Sequence, residues 1–429
     1  MRAETKSILW IMGLVTLVSA WRHSGSTSPD LLASWMAGLN FARGQFDQIY
    51  FGSENVFTMR PPDSWIIELQ ANGHEDGIYP FIYPPLWAWV TAKLSAVTSF
   101  STLVFIGNLV NPLLIAGSIL LAGRMAAGSL RPSAFLMIGV LALGSRVISI
   151  VALEQNQPQI FVSFLLVLAA ERTYYGDQRS AGLALALAAS IKLYPAVFAV
   201  IWLARRNWTA LATFTVFGGA LGLTSIAVAG WPLHAAFLHE LSAISGSALV
   251  TFFTHSIDPT IVEFFLKDRA AFFMGLDADA LAGWHVVEKG PVWRAFNAAS
   301  MIAVITAIFH FARRPAGDSA LFWPTAFLAL ALVSPLSWGY HYLSALVFLP
   351  VLIDRLGTSF GALAIFAILW PTSLIYILID NPFIPWSSVA QPLGTAMMAA
   401  FGITLAALIR SSLPRAQTSA PSKAAHPAE

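Results

Sequence analysis

Residues 180–206 read SAGLALALAASIKLYPAVFAVIWLARR, and the choice between one helix and two here decides the topology. Taken as a single kinked helix, Ser180–Ala204 would cross a bilayer once. Arg205 and Arg206 would then lie on the outer face, and Arg313, Arg314, Arg355, Arg410 and Arg415 would change sides with them, against the cytoplasmic bias of basic residues. Broken at Lys192–Pro195, the stretch becomes two arms and all of these arginines stay inside. Each arm of about a dozen residues reaches roughly 18–20 Å, short of a hydrocarbon core roughly 30 Å thick. The arms are therefore expected to meet at the floor of an outward-facing cavity, since non-helical backbone at that depth is tolerated only beside protein or water.

The surrounding chain supports a membrane setting throughout. Of 429 residues, 57% are hydrophobic and 11% charged, against about 25% charged in soluble domains. Mean hydropathy is +0.69, and apolar runs extend from end to end, so the expected class is an all-α polytopic membrane protein. The net charge of +2 offers no footprint for nucleic acid. The absence of Cys excludes disulfides, thiolate-ligated metals and thiol catalysis. MRAETK before residues 7–20 has the charge order of a signal peptide, and Val-Ser-Ala before Trp21 resembles a cleavage site. With many spans following, the stretch reads as an uncleaved first helix whose Arg2 and Lys6 keep the N-terminus cytoplasmic.

That places the polar segment from Ser24 to Pro85 outside. Residues 86–100, which contain Lys93, read as an interfacial helix after the Tyr83-Pro84-Pro85 turn. Spans are expected at 103–123, 134–153 and 160–170, then the two arms, then 208–230. A second outer segment follows at 231–291. Further spans are expected at 292–311, 319–333, 342–353, 360–379 and 389–409, about twelve transmembrane helices in all by length and basic-residue bias. The chain thus reads as one domain over 1–410, with outer loops at about 22–100 and 231–291 and a disordered cytoplasmic tail at 411–429, rich in Ala, Pro and Ser. No internal repeat is evident.

Several polar residues stand out against this background. Asp30 lies where the first span emerges, where a carboxylate can take a proton from an acceptor hydroxyl. Read alone, Ser28-Pro29-Asp30 before LLASW is a helix N-cap signature, and the residue by itself favours that account. Lys192 is an intramembrane cation whose natural partner is a lipid phosphate; the bland alternative is a snorkelling lysine. Arg146 and Glu154, on one span, either pair structurally or line the cavity. Gln155, Gln157 and Gln159 suit sugar hydroxyls or a plain polar loop. In SPLSWGYHY (334–342), Trp338 can stack on a sugar or prenyl unit and His341 can bond a phosphate, although an aromatic belt explains the stretch as well. The histidines show no metal-ligand spacing, so no metal site is expected. No paired-aspartate motif, phosphate-binding loop or dinucleotide fingerprint is present.

Taken together, these stretches resemble the GT-C glycosyltransferases, and most closely glycosyltransferase family 87, which includes polyprenyl-phosphate-mannose-dependent α-(1,2)-mannosyltransferases. The resemblance is carried by Asp30 followed by Gly44 and Tyr50, by Tyr83-Pro84-Pro85, by EQNQPQ with AGLALALAASIKLYP and ARR, and by SPLSW with His341. It implies a GT-C fold with interfacial helices in two large outer loops, Asp30 as general base, and Lys192, His341, Trp338, Tyr340, Arg146, Glu154, Gln157 and Tyr83 as substrate-binding residues. Tyr340 stands where the family usually has the first His of a His-His pair. The family's Gly-Gln falls on Glu154-Gln155 or on Asn156-Gln157. The partners implied are a polyprenyl-phosphate-linked sugar donor, with mannose as the hexose, a glycolipid or glycan acceptor, and membrane lipid; no cofactor is expected. The implied location is the inner (plasma) membrane, with the active site facing the periplasm or outside. A transporter or flippase is the alternative that the span number and buried Lys192 leave open, and a ligase moving whole oligosaccharides is a third.

Overall fold

A computed structural model describes residues 2–52, 56–74, 77–144, 147–274, 283–378 and 386–413. The first helix, α1 (Arg2–Arg22), packs against α5 (Phe100–Ala126) and α6 (Pro132–Gly144). Between α1 and α5 lie α2 (Pro29–Ala42), α3 (Asp63–Ala71) and α4 (Pro85–Ser95). The 11 residues of α4 reach about 16 Å, too short to cross a bilayer, as expected for this stretch. Pro84 and Pro85 start α4 without needing backbone donors, and Ser99 caps α5 by accepting the Thr102 amide at 3.2 Å. Helix α4 lies across α2 at Gly38, where a Cβ would stand 2.8 Å from backbone atoms of Thr91 and Ala92.

The break in residues 180–206 is present. After α7 (Val147–Glu154) and α8 (Gln159–Tyr174), α9 runs from Gln178 to Ile191 and stops. Lys192 is extended, with φ −139° and ψ 140°, and the chain resumes as a 3-10 turn, Tyr194–Phe198, and a short helix, α10 (Ala199–Ala204). Pro195 lacks the amide that would continue the ladder. Helix α11 (Trp208–Gly246) is kinked at Gly230, whose φ of 73° suits glycine. The kink falls where the span was expected to end, and Trp231–Gly246 leads on into the second outer segment.

That segment holds more than helices. Strands β1 (Ser247–Val250), β2 (Ala271–Met274) and β3 (Gly283–Glu288) form an antiparallel sheet in the order β1-β3-β2, with Ala248 opposite Val287 and Leu249 opposite Val286. Strands of four to six residues offer too short an alternation to register in the sequence. A short helix, α12 (Ile257–Ile261), supplies Asp258, whose buried ion pair with Lys289 at 2.5 Å is joined by Trp293 Nε1 at 2.8 Å. This ties the segment to α13 (Pro291–Ala312).

The C-terminal part consists of α14 (Phe322–Val333), α15 (Leu343–Leu346), α16 (Pro350–Leu356), α17 (Thr358–Leu378) and α18 (Trp386–Ser412). Two expected spans need correction. Residues 134–153 form α6 and α7, bent by 79°. Residues 342–353 divide into the end of a 3-10 turn, α15 and the start of α16, because Pro350 cannot continue a helix from α15; Leu343–Leu352 are buried within the protein. The protein is a multi-pass membrane protein. Among the described residues five helices are long and apolar enough to cross a membrane, six with the bent pair; the expected crossing at 360–379 falls on α17, 21 residues long, and the others fall on shorter or broken helices. Helix α18 continues to Ser412, and the expected tail beyond Leu413 lies outside the described residues.

Gly38→Ala is expected to force α2 off α4 and to destabilise the protein by about 1–3 kcal/mol. A lower melting temperature of the purified protein in detergent checks this.

Candidate active site

Asp30 opens α2, but not as a cap. Ser28, the N-cap residue, makes no side-chain cap hydrogen bond. The Asp30 carboxylate instead accepts from Gln157 Nε2 at 2.7 Å. The capping account that Asp30 invites on its own is therefore replaced by a long-range contact. Gln157 Oε1 accepts from the Tyr83 hydroxyl at 2.7 Å, and the Tyr83 carbonyl accepts from the Tyr50 hydroxyl at 2.8 Å. Burial pushes the Asp30 carboxyl up to about 7, against the pull of the Lys192 charge and the Gln157 hydrogen bond.

Lys192 lies against Tyr83 and its neighbour Tyr340. Its Nζ lies 5.4 Å from the Tyr83 ring centroid and 5.5 Å from that of Tyr340, and 3.2 Å from His341 Nε2. The Trp338 amide donates to His341 Nδ1 at 3.2 Å and fixes the ring. Among the described residues no carboxylate forms an ion pair with Lys192. A cation held by ring faces and one imidazole can still take an anion. Lys192, His341 and Trp338 line one part of a cavity of about 220 Å³ whose other walls include Leu166, Phe198 and Phe327. Trp87 Nε1 donates to the Ser190 carbonyl at 2.6 Å, so α4 satisfies a carbonyl that the end of α9 leaves free.

Of the residues singled out from sequence, Asp30, Gln157, Tyr83, Lys192, Tyr340, His341 and Trp338 form one connected group. Glu154 ends α7 with an exposed side chain, and its carbonyl accepts from the Ser26 hydroxyl. Arg146 lies outside the described residues. The glutamine beside Asp30 is Gln157, so of the two matches the sequence left open, the structure puts Asn156-Gln157 at the site.

The sequence reading missed a buried polar lattice beneath this group. Asn156 Nδ2 donates to Ser28 Oγ and to Asn108 Oδ1, each at 2.9 Å, and Asn156 Oδ1 accepts from Asn111 Nδ2 at 2.8 Å. Asn156 and Ser28 both have left-handed backbones, with φ of 47° and 50°. Asn156 directly precedes Gln157, Ser28 stands two residues before Asp30, and the two are bonded to each other. Asn108 and Asn111, three apart in an apolar run and followed by Pro112, were the signal available. Phe253 was also missed, and no local signal marks it. The segment around it clamps the Trp338 turn: the Gly339 amide donates to the Phe253 carbonyl at 2.8 Å, and the His255 amide to the Ser337 carbonyl at 2.7 Å. A Cβ on Gly339 would stand 2.6 Å from the Phe253 ring.

The family model for glycosyltransferase family 87 matches residues 81–335, more than half of the chain; of this group it takes in Tyr83, Gln157 and Lys192, while Asp30, Trp338, Tyr340 and His341 lie outside it. The chain belongs to glycosyltransferase family 87. Membership makes the protein a membrane glycosyltransferase of GT-C type and decides against the transporter that its many helices allowed. A search of curated proteins finds no match. Among solved structures, the chain is similar to ArnT from Cupriavidus metallidurans, crystallised bound to undecaprenyl phosphate. Identity is 13%, the alignment covers 94% of this chain and 77% of that one, and the TM-score is 0.37. A likeness that distant fixes no residue correspondence for this family 87 chain.

Asn156→Ala removes three buried hydrogen bonds and puts alanine in a backbone conformation that asparagine tolerates better. It is expected to cost about 1–3 kcal/mol or more and to lower transfer activity. Thermal unfolding alongside a transfer assay checks both.

Proposed function

We propose that the protein transfers a hexose, mannose in the first instance, from a polyprenyl-phosphate donor to a glycolipid or glycan acceptor at the outer face of the plasma membrane. The observation that carries the reading is an acid and a cation gathered around Tyr83 and Tyr340. The acid is a buried carboxylate with a raised proton affinity, bonded to the Gln157 amide that Tyr83 also contacts. The cation is a half-buried lysine against both tyrosine rings, which borders an apolar cavity.

The chemistry follows from those two charges. Asp30 takes the proton of the acceptor hydroxyl, and the oxygen attacks the anomeric carbon opposite the departing phosphate. The new C–O bond forms as the bond from the anomeric carbon to the phosphate oxygen breaks. Polyprenyl phosphate leaves with the electron pair, and the configuration inverts. Lys192, steadied by His341, stabilises the negative charge that grows on the phosphate. The apolar cavity walls suit the first isoprene units. Trp338 and Tyr340, stacked at 6.2 Å, suit the sugar or the proximal prenyl unit.

Asp30→Asn is expected to lower transfer from a polyprenyl-phosphate hexose by about 100-fold or more, measured by mass spectrometry of the product. Retention of near wild-type turnover would remove Asp30 as the base. The base must be unprotonated to act, so wild-type turnover should rise with pH through the region near 7 and fall below it as Asp30 takes up a proton. A limb confined to the ordinary carboxylate range would contradict the burial seen at Asp30.

Orientation has its own test, made simple by the absence of native cysteine. In intact cells, Cys at Asp47, exposed in the 3-10 turn Phe46–Gln48, is expected to react with a membrane-impermeant maleimide. Cys at the exposed Arg179 is expected to react only after permeabilisation. The reverse pattern would put Asp30 on the cytoplasmic side.

A further inference from the structure

Gln157 and Tyr83 were expected to touch substrate, but their polar atoms are already engaged. Gln157 is 1% exposed and Tyr83 3%. Gln157 Oε1 accepts twice, from the Tyr83 hydroxyl at 2.7 Å and from the Gln159 amide at 3.3 Å. Two donors on that oxygen leave the amide one orientation, with its NH2 toward Asp30 Oδ2 at 2.7 Å. Tyr83 is held in turn through its carbonyl by Tyr50, and Gln157 follows Asn156 of the buried lattice. Among the described residues Gln157 is the one hydrogen-bond donor to the Asp30 carboxylate.

From this geometry we infer that Gln157, its amide locked by Tyr83, is a positioning residue for Asp30 rather than a ligand of the sugar. The inference rests on the proposed role of Asp30 as base. The N–H bond to Oδ2 favours the ionised carboxylate and sets its rotation, leaving Oδ1 for the acceptor hydroxyl. The other charged or titratable groups that face Asp30 are Lys192 from the end of α9, Tyr83 from the turn before α4, and Tyr340 from the turn after α14. Lys192 favours the ionised form through space. Tyr83 acts through the amide it orients. With the Tyr83 hydroxyl gone, the longer bond from the Gln159 backbone amide is left to hold the oxygen, and the amide turns more readily to point that oxygen toward Oδ2, an arrangement that only a protonated Asp30 satisfies.

The test uses Tyr83→Phe, which keeps the ring that faces Lys192, and Gln157→Glu. Tyr83→Phe is expected to raise the acid limb of the turnover profile by about one pH unit and to lower turnover at neutral pH about fivefold. The KM for the donor should stay within about twofold. Gln157→Glu sets two carboxyls to share a proton, so its limb should move further up and activity should recover as pH rises. A raised donor KM with an unmoved limb would show that Gln157 binds the sugar and would overturn the inference. A second readout needs no turnover: infrared titration of the carboxyl band that Asp30→Asn abolishes. That band should titrate at higher pH in Tyr83→Phe than in wild type, and an unchanged midpoint would overturn the inference. If the midpoint moves while Asp30→Asn retains full transfer, the positioning stands and the assignment of the base is what fails.

Discussion

A helix that ends inside an apolar bundle must find partners for its last carbonyls, and the site grows out of how this chain solves that at Ile191. Water is scarce at such a depth, and each unmet backbone group costs several kcal/mol. Trp87 of the short helix α4 supplies one donor, to Ser190. Helix α4 is fixed by its crossing with α2 at Gly38, and α2 opens on Asp30. The need to close one helix end thus draws the segment carrying the acid toward the segment carrying the cation. Lys192 is extended because the helix has stopped, and its side chain projects between two tyrosine rings.

The second constraint is the polar lattice of Ser28, Asn108, Asn111 and Asn156. Buried amides stabilise only when their hydrogen bonds are made, and here they bridge the turn before α2 to the turn before α8 across α5. Left-handed backbones at Ser28 and Asn156 are sparsely populated for such residues and persist where the surroundings over-determine them. Asp30, two residues after Ser28, and Gln157, next to Asn156, meet at 2.7 Å. The strain and the contact belong to one arrangement.

A third link joins the outer segment to the cation. The backbone of Phe253–His255 pairs with the Ser337–Gly339 turn, and that turn holds His341 against Lys192. The buried ion pair of Asp258 with Lys289 anchors the same segment to α13.

How much was legible depends on the range of the physics involved. Membrane character, the broken helix at Lys192, the short length of α4 and the kink at Gly230 all follow from local rules: hydropathy, rise per residue, the missing proline amide and the freedom of glycine. Sequence similarity placed the chain in its family, and Asp30, Lys192 and His341 stood out because charge is conspicuous in an apolar chain. Only the tertiary structure decided what those charges face. Asp30 reads as a cap until Gln157, 127 positions away, is seen to take its carboxylate. Tyr340 reads as part of an aromatic belt until it is found over Lys192. The breaks in the spans at 134–153 and 342–353, and the three short strands, depend on packing that no local period encodes. Composition and helix length are written into consecutive residues, whereas the partner of a buried polar atom is whichever distant group the folded chain brings within hydrogen-bond reach.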